Sequence, residues 1–340
     1  MKLDALPYHS NVAAHLRTEE GALWAWFESD QFSTRYTENV KLDLLKTTYR
    51  VTRADQPRIY AQVDIAREKL GLELPATIYQ HQGGSGEANA ALIFLPDELA
   101  IMLMGNVSDL LDEAEMLALL GHEISHHRLY SLERGQYLAA ARFLEWCALQ
   151  PGCEASYLET DRIYRLHTEI FADMGALHVT RDRDAVISCL IKVATGLKKV
   201  TPSSYLEQAD EILKQYKQGS EGLTHPEMFI RAKALDLLTS DPPKLDDVAA
   251  LVRGPLDTKR LDLVGQFALS ALTRKLVDEI LAHPFMRGEY TANLAERYFS
   301  SYLTRTASIS WALARTRALS RSGRALSAPD AVSLNTATIL

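Results

Sequence analysis

Asp112-Glu-Ala-Glu115-Met-Leu-Ala-Leu-Leu-Gly121-His122-Glu123-Ile124-Ser125-His126 reads as one capped helix carrying a metal motif. Asp112 and Glu115 have the spacing of a capping box, in which each side chain accepts a hydrogen bond from the other's backbone N–H. The apolar run Met116–Leu120 follows directly, and the spacing predicts a helix over 113–131. Within it His122 and His126 stand at i and i+4. Both imidazoles therefore leave one face about one turn apart, within reach of a single tetrahedral ion. Glu123 comes next along the chain, beside that face, where it can act on water as a general base without ligating a metal. An apolar helix is a poor home for two histidines and a glutamate unless something compensates their desolvation.

Two histidines need a third protein ligand. A metzincin would place Gly at 129 and His at 132, where this chain has Leu129 and Leu132. Two carboxylates remain. Glu145 lies 19 positions after His126, the spacing of the aminopeptidase-type gluzincins, but Phe143-Leu144-Glu145-Trp146-Cys147 lacks their Asn-Glu-Gly context. Glu169 lies 43 positions after His126, in a predicted helix over 156–179, and shares a helical face with Asp173, Ala172 and Ala176. Small residues there let the second helix approach the first. Asp173 can then accept a hydrogen bond from a ligand histidine and fix its tautomer. The reading favours Glu169.

Around these two helices the pattern is mostly helical. Ile59, Val63, Ala66 and Leu70 form a one-sided stripe that Gly71 ends. Thr77-Ile78-Tyr79-Gln80 is short and β-rich, and glycines 83, 84 and 86 punctuate the next segment. Ala91–Leu95 and Leu99–Met104 flank a Pro96-Asp97 turn as a hairpin. Further helices are expected over 136–149, 184–217, 226–238, 258–283 and 289–319, with loops at Gly219–Gly222 and Ser240–Lys244. The second loop marks a boundary, giving an N-terminal helical region 1–59, a central domain 60–240, a C-terminal helical region 241–320 and a poorly ordered tail 321–340.

Composition narrows the classes. The chain has 340 residues and a formal net charge of −7, so it lacks the basic surplus of a nucleic-acid or anionic-membrane binder. Its most apolar window, Ala90–Val107, is broken by Pro96, Asp97 and Glu98 and cannot supply the ~20 apolar residues of a membrane span. No signal peptide is evident at the N-terminus, which suggests a cytoplasmic protein. Three cysteines make no disulfide framework, and Cys147 and Cys153 read as packed thiols. His127 points about 100° away from His126 and reads as a surface histidine or one behind a ligand. His167 and His178 lie off the Glu169–Asp173 face, and Arg315, Arg317, Arg321 and Arg324 form a solvated basic run.

Glu169-x-x-Ala172-Asp173-x-Gly175-Ala176 downstream of His-Glu-x-x-His resembles the gluzincin endopeptidases typified by the heat-shock peptidase HtpX and the CaaX prenyl protease. The likeness extends upstream, where Asn89-Ala90 and the hairpin ending Met104-Gly105 are similar to the family's edge-strand region. It extends downstream to Thr224-His225-Pro226 with Arg231, Ala234 and Leu235 beyond. Matching segments span about Pro75 to Leu235, roughly half of the chain.

The resemblance implies a mainly α (α+β) fold, with a zincin-like core, a small β-sheet or hairpin and additional C-terminal helices. It implies one Zn2+ per chain held by His122, His126 and Glu169, with Asp173 behind a ligand and Glu123 as general base. His225 would face the metal from across the cleft, and Arg231 would either stabilise the oxyanion or hold an acidic partner. The expected activity is a zinc metalloendopeptidase acting on a peptide or protein that adds as a strand to the edge near Leu99–Met104. Two alternatives stay open: an aminopeptidase-like gluzincin using Glu145, and a latent or regulatory zinc protein closed by His225, with the C-terminal ~100 residues (domain-sized) as a helical docking surface. The family's best-known members carry membrane helices or signal peptides, and this chain shows neither.

Overall fold

Leu99-Ala-Ile-Met-Leu-Met104 is apolar on both faces, and both faces are covered. This computed structural model describes residues 3–29, 34–82, 88–286 and 288–299. In it, β1 (Thr48–Val51), β2 (Ala76–His81), β3 (Asn89–Phe94) and β4 (Leu99–Met104) form a sheet of order β1-β2-β4-β3. β4 runs parallel to β2 and antiparallel to β3, while β1 runs antiparallel to β2. Leu99, Ile101 and Leu103 face the main core. Ala100 joins Tyr79, Ile93 and Leu95 on the other face, against Leu44 and Val40 of α3 (Thr34–Thr47).

The hairpin forms as its turn residues predict, but β4 is not an edge. A strand that is apolar on both faces is suited to the sheet interior, and β2 takes the position beside it. The edge near the histidine helix is β3 (Asn89–Phe94), and Leu99–Met104, expected to be an edge, is an interior strand. Thr48–Val51, expected to belong to a helical N-terminal region, is a strand of this sheet.

The helices before and beside the sheet are α1 (Pro7–Glu19), α2 (Gly21–Ser29), α4 (Pro57–Lys69) and α5 (Val107–Leu110). α6 (Glu113–Ser131), α7 (Gln136–Ala148) and α8 (Ala155–Thr180) follow at the expected positions. The expected 184–217 segment is two helices, α9 (Arg183–Thr195) and α10 (Pro202–Gln215). Gly196 ends the first in the left-handed conformation at φ +71°, and Pro202 opens the second. α11 (Met228–Leu238) and α12 (Leu245–Arg253) come next. α13 (Leu263–Ala282) starts later than expected because the Asp262 carboxylate caps it by accepting from Gly265 N–H at 2.8 Å. α14 (Glu289–Tyr298) is the last described helix. The remainder of the expected 289–319 helix, the arginines at 315–324, the 321–340 tail and the glycines at 83, 84 and 86 lie outside the described residues.

α6 and α8 lie side by side at the centre of the core, and glycines set their separation. A Cβ on Gly175 would land on Ser125 Oγ, and one on Gly121 would crowd Ala176 Cα and Val179 Cβ at 3.2 Å. Gly175→Ala is therefore expected to force the helices apart. Overpacking of this kind costs about 1–3 kcal/mol, so a denaturant titration should show that loss together with weaker metal binding. α1 and α13 brace α8 from outside: Tyr8 stacks on His167 with ring centroids 4.6 Å apart, and its hydroxyl donates to Asp262 at 2.7 Å. Among the described residues, no helix is long and apolar enough to cross a membrane.

Candidate metal centre

The capping box at the start of α6 is formed. Glu115 N–H donates to Asp112 Oδ1 at 3.0 Å, and Asp112 N–H donates to Glu115 Oε2 at 2.9 Å. Glu115 Oε2 also accepts from buried Lys192 on α9 at 2.7 Å, which fixes this end of the helix in the core. Two turns further on, His122 and His126 are buried with their Nε2 atoms 3.3 Å apart.

α8 brings Glu169 to this pair. Its Oε2 lies 3.4 Å from His122 Nε2, and its Oε1 lies 3.7 Å from His126 Nε2 and 3.6 Å from His225 Nε2. The His122, His126 and Glu169 ligand atoms all lie within 4.8 Å of one another and form a buried group that could hold a metal ion. The spacing fits. Bonds of about 2.1 Å to a tetrahedral ion put neighbouring ligand atoms roughly 3.4 Å apart; the two imidazole nitrogens are 3.3 Å apart, and each Glu169 oxygen lies near one of them, Oε2 at 3.4 Å from His122 and Oε1 at 3.7 Å from His126. Glu169 Oε2 and His225 Nε2 are both buried without a hydrogen-bond partner. Such atoms need one, and an ion between them would satisfy both.

Behind the ligands, Asp173 Oδ1 lies 3.0 Å from His122 Nδ1. A carboxylate only accepts, so this bond puts a proton on Nδ1, while Nε2 faces His126 and Glu169. Arg231 on α11 holds Asp173 with two bonds, Nε to Oδ2 at 2.9 Å and Nη2 to Oδ1 at 2.6 Å. Of the two expectations for Arg231, the geometry supports the holding of an acidic partner: its guanidinium is buried on Asp173, 3.9 Å from Glu169 Oε2. Asp173→Asn is expected to weaken metal binding about 10–100-fold, read by competition against a chromogenic chelator, without emptying the core of a side chain.

The electrostatics follow from burial and pairing. Burial opposes the His122 imidazolium, but Asp173 and Glu169 outweigh it and raise its pKa to about 9. Burial lowers His126 to about 4 against the pull of Glu169. Glu169 is held well below the usual carboxylate range: burial pushes it up, and His225, His122 and His126 override that. Glu123 is raised to about 8, chiefly by burial. Its Oε2 accepts from Leu92 N–H on β3 at 2.8 Å, so the carboxylate is tied to the edge strand.

His225 comes from the loop between α10 and α11, seated on α8. Arg162 donates to the Ser220 and Gly222 carbonyls at 2.9 and 3.1 Å, and a Cβ on Gly222 would strike the His225 carbonyl. His225 Nδ1 shares a 2.8 Å hydrogen bond with Thr224 Oγ1, leaving Nε2 toward Glu169.

His122, His126, Glu169, Asp173, His225 and Arg231 thus come together, and Glu123 adjoins them through its helix. Glu145 does not. It lies on α7, 4.0 Å from Arg165, outside the metal-capable group. The 19-residue spacing is satisfied along the chain but not in space, because the turn at 132–135 sends α7 off in a new direction, with Gly135 at φ +84°. His127 is neither a surface residue nor behind a ligand: it is buried, stacks on Phe94 and bonds Leu95 O at 2.9 Å, tying α6 to the hairpin. Sequence reading missed Leu92 N–H, which no side-chain pattern announces, and Arg162. The chain matches no family model, no curated protein and no solved structure.

Proposed function

We propose that this protein is a zinc metalloendopeptidase with a zincin-like core, of the kind typified by HtpX and the CaaX prenyl protease. The observation that carries the reading is the buried, metal-capable group of His122, His126 and Glu169, with Glu169 Oε2 left without a hydrogen-bond partner and Glu123 tied to the edge strand β3. The ordered segments from Asn89 to Arg231 that resemble that family support it. Zinc suits two imidazoles and one carboxylate, and when bound it would supply Lewis-acid activation of water and of a carbonyl.

The chain's own residues do the rest. An extended peptide adds to β3, and backbone hydrogen bonds hold the scissile amide still. Glu123 exchanges its bond to Leu92 N–H for the attacking water, takes that water's proton and hands it to the departing amine. His225 Nε2, buried across the centre, is the donor available to oxygen charge developing on the carbonyl. Asp173 and Arg231 keep His122 in the required tautomer.

The test is metal analysis of the purified chain alongside cleavage of a peptide library with and without chelator. Chelator-sensitive cleavage restored by zinc supports the reading, while cleavage indifferent to metal removal sinks it. A second reading, a resting state with His225 as fourth ligand, is favoured by the orphaned His225 Nε2 at 3.6 Å from Glu169. X-ray absorption on the zinc form separates them: three imidazoles in the resting site support closure, and two imidazoles with water exclude it.

A further inference from the structure

We propose that the cleft beside the metal centre is a subsite for a carboxylate of the bound peptide. This deepens the peptidase reading and rests on it for the identity of the ligand, while the site itself stands on its own observations. A cavity of about 580 Å³ lies between the N-terminal half of α8 and the loop joining α12 to α13. Two of its walls run into the metal centre. Arg165 stands one helical turn before Glu169, and Thr224 is hydrogen-bonded to His225.

The wall charges are unbalanced. Arg162, Arg165, Lys259 and Arg260 line the cavity with two carboxylates, Glu159 and Asp161, and Glu145 lies behind Arg165 at 4.0 Å, which leaves the cations in excess in a chain whose formal net charge is −7. Arg162 is committed to Glu159 at 2.7 Å and to the His225 loop, and Arg165 is held by Asp161 at 2.9 Å. Arg260 is 55% exposed and reaches Glu159 only at 3.4 Å, on an oxygen that Arg162 already uses. Lys259 has no ion-pair partner among the described residues. Lys259 and Arg260 therefore present the surplus at the cavity rim, where a cleft concentrates the field. A carboxylate arriving there gains two charge-assisted bonds. It can belong to an acidic side chain or to the peptide's C-terminus.

The experiment uses the full zinc-loaded chain and a blocked twelve-residue neutral peptide through which one Glu is moved, with Gln at each position as control. A further pair carries a free-acid or amidated C-terminus. Cleavage is read as kcat/KM, and binding as anisotropy of the fluorescein-labelled peptides on Glu123→Gln. At one position, or at the free terminus, the carboxylate form is expected to be preferred about tenfold, less so in high salt. The double variant Lys259→Glu/Arg260→Glu, with zinc content and melting temperature as folding checks, is expected to lose or invert that preference. Equal use of Glu and Gln everywhere and of both termini, or a preference that survives the double substitution, overturns the subsite. Charge-dependent binding without cleavage keeps the subsite and overturns the peptidase reading, and cleavage without charge dependence does the reverse. A peptide set neither bound nor cleaved overturns both.

Discussion

Replacing Glu169 with alanine is expected to abolish stoichiometric metal binding, while Glu145→Ala stays fully loaded. Structural zinc is worth about 10–16 kcal/mol over four ligands, so losing one should weaken binding at least about 100-fold. Removing Glu169 also leaves His122 and His126 facing each other without the carboxylate that organises them. Metal content by plasma emission after dialysis reads the result directly. A loaded Glu169→Ala protein, or an empty Glu145→Ala protein, would reverse the ligand assignment.

The same centre sets a pH dependence. In the metal-free protein His122 titrates at about 9, above its ordinary 6.5, so its pairing contributes stability that is full below pH 6.5 and lost as pH rises through 9. Glu123 acts in the same direction: its pKa is raised from 4.5 to about 8, so the folded state holds a proton that the unfolded chain has released. His126 is shifted the other way, and its loss of stability falls at lower pH, between 6.5 and 4. Chelator-treated protein is therefore expected to melt at progressively lower temperature from pH 6.5 to 9. Over that range metal affinity should rise, because the ion no longer competes with a proton on His122. Calorimetry in buffers of different ionisation enthalpy should find at least one proton released per ion at pH 7. A melting temperature flat across this window would remove the paired, charged His122.

The second large effect belongs to Glu123→Gln. The substituted amide keeps the volume and an oxygen to accept from Leu92 N–H, so fold and metal content should be preserved. It cannot take a proton from water, and general-base catalysis is worth about 10²–10⁴-fold. Peptide cleavage is expected to fall by that factor with little change in KM. A metal-loaded Glu123→Gln protein with native turnover would falsify the catalytic assignment.

Residues close in sequence are legible because their physics is local. The cap at Asp112, the i and i+4 histidines, the Glu169–Asp173 face and the hairpin turn each depend on the repeat of one helix or strand. The small residues around Glu169 favour it over Glu145, but only packing separates the two, through Gly121 and Gly175 at the helix contact. Three things have no local signature. β2 enters beside β4 and leaves β3 as the edge, a choice that the apolar patterns of β3 and β4, alike on both faces, do not make and that pairing with a strand distant in sequence does. The grip of Arg231 on Asp173 joins residues 58 positions apart, where sequence offers only two candidate roles. The seating of His225 on α8 by Arg162 depends on backbone carbonyls, which every residue carries and no sequence pattern marks.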